Sequence, residues 1–180
     1  AQYSPGIIGL SVTAFPLAMM IFAPVGGYLS DKMNPNYISA IGGIIAGFSV
    51  FLIGTLPLSF SFIDVVWRMI IFGIGGGLFE TSNSVIVLSN APEHRRGIAS
   101  GVLAMVRNTG MVFGVTISST ISSLRRTYHS ETLLSMTNDV RDIAAIRAIK
   151  DVFIIAFICA MACALIACIG ASYTKEKEVL

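Results

Sequence analysis

Charge is what this sequence has least of. Asp, Glu, Lys and Arg together make up 12% of its 180 residues, roughly half the share of a soluble domain, and that excludes an ordinary soluble fold. No basic tract and no aromatic platform accompany the net charge of +2, so nucleic acid is excluded as a partner. No stretch alternates apolar and polar residues with a period of two, which excludes a barrel of spanning strands. Histidine occurs twice, as His94 and His129, each alone in a polar segment. No nucleophile–base pair or phosphate loop is present, and the chain does not read as an enzyme. The three cysteines, Cys159, Cys163 and Cys168, share the last apolar run. Cys159 and Cys163 are one helical turn apart, but no His or acid stands near them to complete a metal site. They read as small apolar fillers; no metal and no cofactor is expected. The opening AQYSPGIIGL lacks the basic region of a secretory signal. It also lacks an initiator Met, and a fragment of a longer chain is expected.

What the chain has is apolar length. Apolar residues make up 54% and mean hydropathy is +0.80, the profile of a multi-pass membrane protein. A spanning helix needs about 20 mostly apolar residues. Such runs fall at residues 5–29, 37–56, 64–88, 97–122 and 152–173. The expected fold is an all-α bundle in a lipid bilayer, without a clear internal repeat. Pro16 and Pro24 lie inside the first run, where a bilayer helix tolerates them with a kink. The turn DKMNPN over residues 31–36 breaks the first run from the second. Gly43 and Gly47 give the second run a small-residue face. Pro57 and the serines at 59 and 61 close it. Asp64 is a candidate N-cap for the third run, with Arg68 one turn on as its partner, and Trp67 suits the interfacial belt. Residues 123–150 are polar with charges of both signs. Their second half, NDVRDIAAIRAIK, spaces Val140, Ile143, Ile146 and Ile149 as a short surface helix that leads towards the fifth run.

Two charges break the apolar pattern from inside. Glu80 lies within the third run and Arg107 within the fourth. Charged residues within a span are expensive and by default mark a pathway or a site. Gly73, Gly77, Glu80 and Ser84 fall on one helical stripe, with Gly76 and Asn83 beside it. Ser100, Arg107 and Gly114 recur every seven residues on the fourth run, with Asn108 next to Arg107 and Gly110 a turn from Gly114. Such small, polar stripes face a partner helix or a wet cavity. Glu80 and Arg107 each lie roughly 14 Å from the same surface at 1.5 Å per residue, near the midplane of a ~30 Å core. If the two helices are antiparallel neighbours, acid and base meet. A proton or a cationic substrate would then compete with Arg107 for the carboxylate. A fixed structural ion pair is the other reading, and the residues alone leave both open. Asp31 could accept hydrogen bonds from a helix N-terminus or from Arg95 or Arg96; it is either a solvated cap or a latch on one conformation. Charge leaves the orientation nearly level. Lys32, Arg95, Arg96, Lys175 and Lys177 oppose Arg125, Arg126, Arg141, Arg147 and Lys150. The first set sits in tighter turns, which favours those turns being cytoplasmic.

The run GYLSDK at residues 27–32 resembles the loop signature of the major facilitator superfamily, G-x-L-[SA]-D-[RK]; Asn34-Pro35-Asn36 stands where basic residues usually close it. Gly73-x-Gly75-x-Gly77-Leu78-Phe79, Asn83, Pro92, Arg96-Gly97, Ala99-Ser100-Gly101, Arg107-Asn108-x-Gly110 and Gly114 resemble the fourteen-helix drug:proton antiporters of that superfamily. So does the opening Ser4-Pro5-x-x-x-Gly9-Leu10. The resemblance implies that the five runs are the last five helices of a C-terminal six-helix bundle, with the N-terminal bundle missing as a partner. It implies a cytoplasmic loop motif of Gly27, Asp31, Lys32, Arg95 and Arg96, and an extracellular segment at 123–150. Helices one, three and four would line a cavity, and helices two and five would be peripheral.

On this footing the expected function is secondary active transport across the cell membrane: proton-coupled efflux of lipophilic or cationic drugs. Its partners are a small-molecule substrate and protons. The expected pathway residues are Glu80, Arg107, Asn83 and Asn108, and the packing residues are Gly73, Gly77, Gly110 and Gly114. The alternatives are transport of a sugar, organic acid or siderophore by the same fold, and a truncated half that does not transport.

Overall fold

The computed structural model describes residues 5–56, 61–132 and 139–177. Those residues form five long helices: α1 (Pro5–Lys32), α2 (Pro35–Gly54), α3 (Phe62–Ser89), α4 (Arg96–Thr132) and α5 (Asp139–Lys177). A single 3₁₀ turn, Glu93–Arg95, joins α3 to α4. No strand occurs among the described residues. Each helix contains a stretch long and apolar enough to cross a membrane.

Local chemistry sets the helix ends. Asn34 caps α2: its side chain accepts from the Asn36 backbone N–H at 3.0 Å, and Pro35 takes the first helical position, where a missing N–H costs nothing. Two residues therefore suffice to separate α1 from α2. At α3 the cap is Ser61, in extended conformation, and not Asp64. Asp64 sits three positions in, and its carboxylate accepts from the Ser61 backbone N–H at 2.9 Å. It does the acid's half of a capping box because the helix starts earlier than the apolar pattern does. Asp64 also pairs loosely with Arg68, at 3.9 Å. Pro57 and Ser59 fall outside the described residues. The helical backbone of α1 is unbroken across Pro16 and Pro24. Helix α4 runs past its apolar stretch to Thr132, with no Gly or Pro after Gly114 to stop it. Helix α5 passes without a break from Asp139 into its apolar span.

Helix α3 is the hub. It packs against α1 on one side and α2 on the other, and α2 in turn packs along α5. Thus α2 lies between α3 and α5. Helix α4 leans mainly on α5 and meets α3 sparsely. The close crossings rest on glycine. A Cβ on Gly73 would lie 2.5 Å from the Phe15 carbonyl oxygen of α1. On the opposite face, a Cβ on Gly75 would collide with the Ala46 backbone nitrogen of α2. Two glycines two residues apart, on opposite sides of α3, let three backbones converge at one level.

The packing inverts that of a soluble domain. Among the described residues the buried side chains are nearly all small, Ala18, Ala40, Ala164 and five serines, with Ile38 the exception. The large apolar side chains point outwards, with Met20 74% exposed, Met105 71% and Val115 71%. Exposed surface of that kind needs lipid or another helix against it. Several hydroxyls inside the spans return to their own backbone, among them Thr81 to the Gly77 carbonyl and Thr116 to the Val112 carbonyl, each at 2.8 Å. That satisfies the donor where no water is available.

Candidate functional site

Helices α3 and α4 run in opposite directions from the tight turn at residues 90–95, so equal distances from that turn are equal depths. The structure brings Glu80 and Arg107 together on this basis. Arg107 Nη1 and Glu80 Oε1 form a direct ion pair between the two helices. The Glu80 side chain is 33% exposed and that of Arg107 is 40% exposed. The pair is therefore only partly buried among the described residues.

The stripe on α3 has two neighbours along its length. Gly73 and Gly77 lie against α1: a Cβ on Gly77 would come within 3.1 Å of the Ala23 nitrogen. One turn further on, the same stripe presents Glu80 to α4. Ser84 donates to the Glu80 carbonyl at 2.8 Å, which leaves the carboxylate to Arg107. Asn83 is half-buried on α3 and Asn108 is exposed on α4. The glycines of α4 do something different from those of α3. Within 4 Å of a Cβ on Gly110 or Gly114 there is no atom of the described residues. Their expected packing role finds no partner among the described residues.

The loop motif is not assembled as a latch. Asp31 is exposed at the end of α1, and among the described residues neither arginine reaches it. Arg96 pairs instead with Glu93 at 3.7 Å. Arg95 Nε donates to His94 Nε2 at 3.2 Å. Lys32 lies over the Tyr28 ring, 4.4 Å from its centroid. Each arginine finds a partner within three residues of itself, far nearer along the chain than Asp31. Gly27 lies against Thr81 of α3, where a Cβ would sit 3.5 Å from the Thr81 methyl. Asp31 does help line a polar cleft of about 420 Å³, with Asn34, Asn36, Ser89 and Asn90 among the other walls.

Two polar ties escaped the pattern of the sequence. Ser30 of α1 and Ser82 of α3 share a buried hydrogen bond of 2.8 Å. Ser49 of α2 donates to the Arg68 carbonyl of α3 at 2.6 Å. Serine is common in spans, and only knowledge of which helices cross makes these two stand out. The available signal was that Ser82 is flanked by the polar run from Glu80 to Ser84.

Comparison with known proteins adds the family. Residues 1–178 match the model of the Major Facilitator Superfamily. Over 109 residues the chain is 37% identical to the uncharacterized transporter YebQ of Escherichia coli, a match covering 61% of this chain and 24% of that protein. It is 29% identical over 133 residues to the riboflavin transporter RibZ of Clostridioides difficile, covering 71% of this chain and 28% of that one. It is 28% identical over 107 residues to the quinolone resistance protein NorA of Staphylococcus aureus, covering 59% and 27% respectively. The matched stretches thus span about a quarter of each relative's length.

Proposed function

The chain belongs to the Major Facilitator Superfamily, and from that premise we propose that it forms five helices of the C-terminal bundle of a proton-coupled exporter of lipophilic or cationic compounds in the cell membrane. The observation that carries this reading is the Glu80–Arg107 ion pair across α3 and α4. An unpaired charge at such depth is costly, so the pair stabilises each of its members. It also ties together two helices that otherwise meet sparsely. Protonation of Glu80, or a cation bound in place of Arg107, removes one half of that tie. The helices are then free to part, and release of that proton or cation returns the carboxylate to Arg107 and restores the contact. That is the minimum needed to make a bundle's shape depend on proton and substrate occupancy. Its likeness to the quinolone resistance protein supports export.

A second reading has its own support. Its likeness to the riboflavin transporter favours transport of a defined nutrient-like solute through the same bundle, in which case the ion pair would be structural. One experiment separates the two. The full-length protein is reconstituted in everted membrane vesicles, and dissipation of an imposed pH gradient is followed on adding ethidium or a quaternary ammonium dye. The export reading expects dissipation that Glu80→Gln abolishes while the protein stays folded. Dye-driven proton release undiminished in Glu80→Gln would remove Glu80 from the coupling. Riboflavin uptake without any dye response would favour the second reading.

A further inference from the structure

At the opposite end of the bundle from the Glu93–Arg95 turn lies a groove that the transport reading does not use. It is a cavity of about 210 Å³ between the last turn of α2 and the beginning of the apolar part of α5. Phe51, Gly54, Thr55, Lys150, Phe153 and Ile154 line it. The walls are apolar and fixed. Phe51 is held by the Phe157 ring, 5.4 Å away between centroids. Gly54 lets α5 come close, since a Cβ there would stand 2.8 Å from the Phe153 Cβ. The Thr55 hydroxyl is spent on the Leu52 carbonyl at 2.8 Å, so it offers the groove little polarity. Lys150 is the single charge among the lining residues. It is exposed, and among the described residues no acid pairs with it.

Depth decides what fits. The spanning part of α2 ends at Gly54 and that of α5 begins at Val152. Lys150 therefore sits two residues outside the hydrocarbon, at the level where bilayer phosphates lie, and Phe51 and Ile154 sit inside it. A groove that is aromatic and aliphatic below and cationic above matches a molecule with an acyl chain below and an anion above. We infer that this groove binds one anionic phospholipid, with its headgroup phosphate at Lys150 and an acyl chain against Phe51, Phe153 and Ile154. A zwitterionic lipid brings its own cation to the phosphate and gains less from Lys150. The inference rests on the membrane-spanning fold and not on the direction or substrate of transport.

Brominated acyl chains quench tryptophan on contact, and Trp67 is the only tryptophan. The test uses the chain carrying Trp67→Phe and Ile154→Trp, reconstituted in phosphatidylcholine vesicles. It is titrated with brominated phosphatidylglycerol or brominated phosphatidylcholine. Half-quenching is expected at about fivefold lower mole fraction of the anionic lipid, the preference one lysine near the surface supplies. Lys150→Gln should remove the preference and Lys150→Arg should keep it. A reporter on the outer face of α4, Val115→Trp, should be quenched equally by both lipids. Equal quenching at position 154 by both lipids, or a preference that survives Lys150→Gln, overturns the inference. Native mass spectrometry of the otherwise unaltered chain repeats the comparison without a tryptophan reporter. One phosphatidylglycerol should be retained from mixed micelles and lost in Lys150→Gln; equal retention by both chains overturns the inference as well.

Discussion

Glu80 and Arg107 are the residues whose removal should be felt in opposite ways singly and together. Each is about one-third to two-fifths exposed, so the cost of orphaning one is below that of a fully buried pair. Arg107→Gln is expected to lower unfolding stability in detergent by about 1–2 kcal/mol, because Glu80 is left without a partner at mid-span. The double variant Glu80→Gln with Arg107→Gln should recover most of that loss, as two amides can bond each other. Thermal unfolding of the four proteins of this cycle measures the coupling. A double variant as weak as Arg107→Gln would mean that the residues act separately. This pair was legible in the sequence, since a charge in an apolar run stands out and equal spacing from one turn implies equal depth. The Ser30–Ser82 bond was not, because nothing along the chain says which serines of α1 and α3 meet. Nor was the failure of Asp31 to reach Arg95 or Arg96, which is decided by nearer partners, Glu93 and His94.

Among the helices, α3 carries the bundle and α4 is attached to it loosely, and the glycines report this difference. Gly75 has no room for a side chain against α2, whereas Gly110 faces open space. Gly75→Leu is expected to destabilise the chain by about 1–3 kcal/mol or to prevent assembly, since α2 and α3 must separate to admit it. Gly110→Leu should change stability by about 0.5 kcal/mol or less. Paired unfolding measurements on the two variants test this contrast, and equal losses would place α4 in the packed core. Both glycines belong to the motifs that carry the family resemblance, and by that signal alone they are equivalent. Their difference arises because α3 is packed closely against α2 at Gly75, whereas α4 meets its neighbours sparsely at Gly110. The same limit applies to α2, which the family resemblance implied to be peripheral, while its Gly42 and Gly43 sit against α3 and α5. A tie between elements is testable as well: a Ser30→Ala, Ser82→Ala cycle should give a coupling near 0.6 kcal/mol, the usual worth of an interhelical bond in a bilayer.

For the molecule as a whole, the question that charge leaves almost level is which end faces the cytoplasm. Lys32, Arg95 and Arg96 lie at one end of the bundle and Lys150 at the other. The first three sit in turns of only a few residues, with α1 and α2 separated by Met33 and Asn34 alone. The bias set by Lys and Arg acts most strongly through such short connections, and acids near them count little. The end bearing Asn34 and Glu93 is therefore expected inside the cell, and the end bearing Thr55 and Ser61 outside. With Cys159, Cys163 and Cys168 replaced by Ala, a single cysteine can report each end. Ser61→Cys, exposed at the start of α3, should react with a membrane-impermeant maleimide on intact cells. Glu93→Cys, exposed in the turn before α4, should react only after the cells are opened. Reversed labelling would invert the bundle. It would place the Lys150 groove in the inner leaflet and the Glu93–Arg95 turn outside. Labelling of both positions on intact cells would mean that the two ends are not separated by a membrane, and the outward-facing methionines, valines and phenylalanines would then need another helix, and not lipid, to cover them.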